Sequence, residues 1–167
     1  VLVFNLDNGN NLIDKLADNV LGQADFYSFG SSLTQSGMNS PQDLAYAPGL
    51  NKLFVVDFNN SRILVFDVAS ITDGENAVNV LGQTDFTTLG CATTQSKFNS
   101  ARSVAFDPSR NYLFVGDNNN RRVLVFDVAS LADGENAINV LGQGVFTTGA
   151  SQTTQAGLKG AFGLAYD

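Results

Sequence analysis

The sequence predicts an all-β fold assembled from repeated four-stranded units, and three observations predict it. The stretch LFVVDFNNSRILVF at Leu53–Phe66 returns 60 residues later as LFVGDNNNRRVLVF at Leu113–Phe126. Other marks keep the same spacing: Asn-Val-Leu-Gly-Gln at 19–23, 79–83 and 139–143, and Thr-Gln at 34–35, 94–95 and 154–155. Val, Ile, Phe and Gly dominate where a helical repeat would need strong helix formers. A fixed period carried by short apolar runs between turn residues fits the antiparallel blades of a β-propeller. The coils of a β-solenoid are usually shorter, about 20–30 residues with one or two strands, and fit less well.

Each element can be justified in order. In the best-defined unit, strand a is expected at Ser103–Asp107, b at Tyr112–Asp117, c at Arg122–Asp127 and d at Ala137–Leu141. Asp-Pro-Ser-Arg-Asn, Asp-Asn-Asn-Asn and Asp-Gly-Glu-Asn separate them, all turn chemistry. Strands b and c read as nearly continuous apolar runs, which implies burial on both faces. The chain then divides into a partial blade at 1–40, blades at 41–100 and 101–160, and the start of another at 161–167, about three blade-equivalents. Before Asn19 the first unit is two residues longer than its counterparts, an insertion of the kind loops absorb. Val1 already belongs to a strand pattern and Ala161–Asp167 restarts a repeat, with Gly163–Tyr166 expected as a strand a. The expectation is a segment of a longer chain, with the missing blades supplied by the rest of that chain or by a second copy, since a closed ring needs about four to eight.

Composition narrows the functional classes. Of 167 residues only nine are Lys or Arg, and the net charge is −7, so no nucleic acid partner is expected, because phosphate binding leans on clustered basic side chains. No apolar run is long enough to span a bilayer and no basic amphipathic stretch suits its surface, so no membrane partner is expected. There is no His, which removes His-based metal sites and Ser–His or Cys–His nucleophile pairs. Cys91 is the sole cysteine, has no base beside it, and aligns with Ser31 and Ser151, so it reads as an incidental small residue. No two carboxylates pair in a recognisable hydrolase arrangement.

The runs Leu53–Asp57 with Asn60–Phe66, and Leu113–Asp117 with Asn120–Phe126, resemble the NHL repeat: an apolar strand ending in Asp, an Asn-x-Arg turn, a second apolar strand. Pro41–Tyr46 resembles its opening strand, with Asp43 and Ser103 where the family usually carries Gly, which Gly163 keeps. The longer repeat with Leu-Gly-Gln-x-Asp-Phe-Thr and Thr-Thr-Gln looks like a variant from secreted or surface-exposed bacterial proteins. The resemblance implies a propeller at an extracellular or cell-surface site. It leaves function open, because such propellers serve as protein-binding, RNA-binding and enzymatic domains. The His-dependent zinc chemistry of some members cannot carry over.

Several polar and aromatic positions compete for a role. Asp57, Asn60 and Arg62, with Asp117, Asn120 and Arg122, could ring a ligand. Their recurrence in every unit points instead to a structural turn network, with Asp accepting backbone N–H groups in the b–c turn and Arg pairing with it or with the next blade. Asp73-Gly74-Glu75-Asn76 and its copy Asp133–Asn136 lack the ligand spacing calcium wants and read as plain c–d turns. Phe26, Phe86 and Phe146 read as anchors for the long d–a connections. In a four-stranded meander the d–a and b–c connections emerge on one face, and long loops on a rigid scaffold are where binding usually lives. The starts of strand a should border the central channel: Gln42-Asp43, Arg102-Ser103 and Phe162-Gly163, which differ strongly from blade to blade. Gln42, Asp43, Arg102, Ser103 and Phe162 are therefore the candidate ligand contacts. The function expected is a non-enzymatic binding or scaffold module for a protein or small ligand, with no cofactor and no metal. The alternatives are an enzyme whose channel-mouth site is completed by blades absent here, and a structural repeat of a surface filament.

Overall fold

The computed structural model describes residues 1–167. It contains β1 (Leu2–Val3), β2 (Asn19–Val20), β3 (Pro41–Ala47), β4 (Lys52–Asp57), β5 (Arg62–Asp67), β6 (Asn79–Leu81), β7 (Ala101–Asp107), β8 (Tyr112–Asp117), β9 (Arg122–Asp127) and β10 (Asn139–Leu141). Strands β3-β4-β5-β6 and β7-β8-β9-β10 form two four-stranded antiparallel meanders, and β1-β2 is the two-stranded remnant of a third. These are propeller-type blades. No helix is long and apolar enough to cross a membrane.

The b and c strands pair in unbroken register, Lys52 with Asp67 through Asp57 with Arg62, and Tyr112 with Asp127 through Asp117 with Arg122. Their continuous apolar composition follows from packing between neighbouring sheets. One cluster joins Phe54, Val56, Ile63 and Val65 of one blade to Phe98, Leu113, Leu124 and Phe126 of the next. A second joins Leu21 and Met38 to Val55, Leu64 and Phe66. Each fully buried Phe or Leu contributes roughly 1.5–3 kcal/mol. Phe54 stacks on Phe106 across the blade boundary at 6.3 Å between ring centroids. The two first strands, β3 and β7, lie against each other, which puts strand a on the inner side of each blade.

The structure moves three of the expected boundaries. Strand a begins at Ala101 rather than Ser103, and a bulge between Ala101 and Ser103 absorbs the extra residues. Strand d begins at Asn139 rather than Ala137, because the Ala137 backbone is engaged by Gln95: its N–H donates to the Gln95 carbonyl at 3.0 Å, and Gln95 Nε2 donates to its carbonyl at 2.7 Å. Gly163–Tyr166 is not a strand. Leu164, Ala165 and Tyr166 lie beside Ala105, Phe114 and Leu141, where an inner strand belongs, but make no ladder. The two-residue insertion of the first unit falls in a turn closed by Asp7, whose Oδ1 accepts from the N–H of Gly9 at 2.8 Å and of Asn11 at 2.9 Å.

Candidate functional site

The polar residues that recur in each blade are consumed internally. Asp57 and Arg62 are both 0 % exposed, and Arg62 Nε donates to Asp57 Oδ2 at 2.7 Å. Asn60 Nδ2 donates to the same oxygen at 2.8 Å. Arg62 then reaches across two d–a connections, donating to the carbonyls of Thr34 and Gly37 at 2.9 Å each and to that of Phe86. Asp117, Asn120 and Arg122 repeat the arrangement, with Arg122 bound to the carbonyls of Thr94, Lys97 and Phe146. Burial pushes the Asp117 carboxyl up, opposed by the Asn99 N–H, Asn120 and Arg122. One detail departs from expectation. The backbone donors to these carboxylates are Asn39 (2.6 Å) and Asn99 (2.7 Å), which precede strand a, and not amides of the b–c turn. The positive φ of Ser40 (59°) and Ser100 (60°) turns the chain there.

The other recurring marks join neighbours in the same way. Gly82 has φ +89°, and a Cβ there would lie 2.2 Å from the Phe98 ring, so only glycine fits; Gly22 over Met38 and Gly142 over Leu158 repeat this. Gln83 Nε2 donates to the Ser61 carbonyl at 3.1 Å and the Gly90 carbonyl at 2.9 Å, tying the d–a connection to the b–c turn. Asp73 Oδ1 accepts from Val20 N–H at 2.9 Å, and Asp133 Oδ1 from Val80 N–H at 3.0 Å, each reaching the last strand of the preceding blade. Glu75 and Glu135 fold back onto the amides of Thr72 and Ala132. These carboxylates do not converge, and no group of three or more metal-ligating side chains occurs.

Phe86 and Phe146 pack onto the two clusters, and their carbonyls are gripped by Arg62 and Arg122. Phe26, by contrast, is 45 % exposed, so the anchor role expected for it is not seen in the first unit. Cys91 is an exposed free thiol, with Sγ 3.1 Å from Ser61 Oγ.

The arginine clamps show that the d–a connections and b–c turns share one face. On the other, the a–b turns meet the c–d segments: Val68 N–H donates to the Asn51 carbonyl and Val128 N–H to that of Asn111, both at 2.8 Å. The candidate contacts at the starts of strand a fare unequally. Asp43 Oδ2 accepts from Val104 N–H of the next blade at 3.0 Å, so this carboxylate already has an internal task. Ser103 is only 1 % exposed, which removes it as a direct ligand contact; it is wedged beside Gly116. Gln42 is exposed and makes no hydrogen bond through its side chain. The Arg102 guanidinium sits over the Phe58 ring at 4.7 Å from its centroid, with Phe162, 70 % exposed, at 5.6 Å on another side. Arg102, Phe162 and Phe58 thus come together, while Gln42 stays apart.

Phe58 was missed by sequence reasoning. The signal was present: the first residue of the b–c turn is Phe58 in one blade and Asn118 in the next, a non-repeating position on the same face. Also missed was a polar hollow of about 490 Å³ beside Gly22, lined by Gln23, Ser28, Ser32, Ser36 and Asp73. Gly37 borders it, and at the equivalent position of the next blade Lys97 Nζ reaches Gln83 Oε1 at 3.5 Å.

Comparison with known families gives one match: residues 38–66 fit the NHL repeat, covering β3, β4 and β5 with the Asp57–Asn60–Arg62 turn. The same pattern recurs one period later, in β7, β8 and β9. No curated protein matches the chain. NHL repeats are generally protein-interaction or scaffold modules, and generally not enzymes.

Proposed function

We propose that this chain is a non-enzymatic binding or scaffold module, engaging a protein or small ligand through the face that carries the d–a connections and b–c turns. One observation carries the reading. The recurring polar groups of that face are bonded inward, whereas Gln42, Arg102 and Phe162, which differ between blades, keep polar or aromatic surface available on a rigid frame. Rigid presentation of varied side chains is the requirement for selective binding, since less ordering cost falls on the encounter. The 60-residue spacing with its Leu-Gly-Gln and Thr-Thr-Gln marks supports assignment to the long-repeat variant of bacterial secreted or surface proteins, and so to an extracellular or cell-surface location.

The test is a ligand and partner screen with positional controls. Gln42→Ala and Phe162→Ala should weaken any partner found by at least ten-fold, while Lys52→Ala and Arg110→Ala on the a–b side should leave affinity within two-fold. The reverse pattern would overturn the face assignment.

A further inference from the structure

We infer that Arg102 is the anchor of a carboxylate-binding site that takes an acidic side chain of an extended peptide. The inference rests on the binding-face reading above and narrows it to one ligand chemistry.

Arg102 is the one arginine whose side chain makes no hydrogen bond within the chain. Arg62 and Arg122 are paired with Asp57 and Asp117, Arg110 is paired with Asp107, and Arg121 binds the Gly149 carbonyl. This occurs in a chain with sixteen acidic residues against nine basic ones, so a missing partner is not a shortage of carboxylates. The guanidinium is nonetheless held in place by Phe58 at 4.7 Å and Phe162 at 5.6 Å. A planar cation packed against aromatic rings loses little freedom on meeting an anion, and weak competing hydration strengthens the contact. Its Nε is buried without a partner, which closes the side-on approach and leaves the two terminal nitrogens as an end-on fork of the kind that matches a carboxylate.

The surroundings point the same way. Ser103 Oγ and Asn118 Oδ1 are also buried without a partner. A Cβ on Gly160 would meet Asn118 and Phe162, so this acceptor borders the ring beside Arg102, whereas Ser103 Oγ lies sealed against Gly116. Buried polar atoms are normally satisfied, and the unmet acceptor Asn118 Oδ1 next to Phe162 suits a donor such as a peptide N–H, while the cation takes the carboxylate. The charge selects a carboxylate over a phosphate. One cation is available here, a phosphate dianion asks for several, and the net charge of −7 opposes a multiply charged ligand. The rings flanking the fork add contact area for a peptide's neighbouring apolar groups, which free acetate lacks.

The experiment is a titration of the whole chain, followed through the Arg102 Nε–H and Phe162 ring resonances at constant ionic strength. The probes are acetyl-Ala-Glu-Ala-amide, its Gln analogue, acetate and inorganic phosphate. A saturable shift with the Glu peptide is expected, with the Gln peptide and acetate at least ten-fold weaker. Arg102→Lys should weaken binding at least five-fold, and Arg102→Gln should abolish it while the backbone amide spectrum stays dispersed. Shifts that stay linear, or that persist in Arg102→Gln, overturn the site. Acetate binding as tightly as the peptide overturns the peptide assignment, and phosphate binding more tightly overturns the carboxylate. Saturable peptide shifts confined to the d–a connections would overturn this site while leaving the binding face standing; shifts confined to the a–b turns would overturn both.

Discussion

Arg62 and Arg102 belong to the same face and meet opposite fates. Arg62 is fully buried, paired with Asp57, and grips three carbonyls from two loops. Arg102 packs against two rings, and its side chain has no acceptor. The difference follows from where each sits in the repeat. A b–c turn must bond both d–a connections beside it, so every blade meets the same geometric demand and carries the same residues. The start of strand a closes no such network and its identity is free: Gln42, Arg102 or Phe162. Recurrence therefore marks what the blade needs, and variation marks what is left for a partner.

Breaking the clamp gives the largest expected effect. Arg122→Leu leaves Asp117 as an uncompensated buried carboxylate and frees three carbonyls, so it should destabilise by roughly 3–5 kcal/mol or more in chemical denaturation. Replacing both Asp117 and Arg122 by apolar residues should recover part of that loss, because neither charge is then stranded. Gly82→Ala should cost about 1–3 kcal/mol, since it places a Cβ against Phe98 at a left-handed backbone position; Gly144→Ala, with open space around it, should cost far less.

The acid limb of stability sharpens the contrast on the opposite face. Burial disfavours the Asp107 carboxylate, but hydrogen bonds from Ser109 and Arg110 outweigh it and hold the group well below the usual carboxylate range. A depressed folded value means stability is fully present above the ordinary range near 4 and is lost as pH falls through the folded value. Ser109→Ala removes the 2.6 Å hydroxyl donor and should therefore raise the titration midpoint of Asp107, read by carboxyl carbon resonance, with little effect above pH 5. The smallest effect belongs to the open row: Gln42→Ala should change stability by no more than about 0.5 kcal/mol, as for a surface substitution touching no network.

Strands a to c were legible in the sequence because double-sided burial writes an uninterrupted apolar run and Asp or Asn punctuates its ends, as at Leu113–Asp117 and Arg122–Asp127. The purpose of the other marks was not. Gln95 bonds Ala137, Asp133 bonds Val80, and Asp43 bonds Val104, each across a blade boundary that one unit's pattern does not reveal. Ser103 and Arg102 are adjacent in sequence yet one is sealed and the other open, because Arg102 is the extra residue of the bulge while Ser103 packs against Gly116. Phe26 copies Phe86 in sequence yet is exposed where Phe86 packs on the core.

Exchange of the arginine terminal N–H protons with solvent tests the division between recurring and variable residues most directly. Arg62 and Arg122 should exchange slowly, with restricted rotation of the guanidinium, while the terminal N–H protons of Arg102 exchange close to the rate of a free arginine. Equal, fast exchange at all three would contradict the account, because the recurring arginines would then be as available to a partner as the variable one.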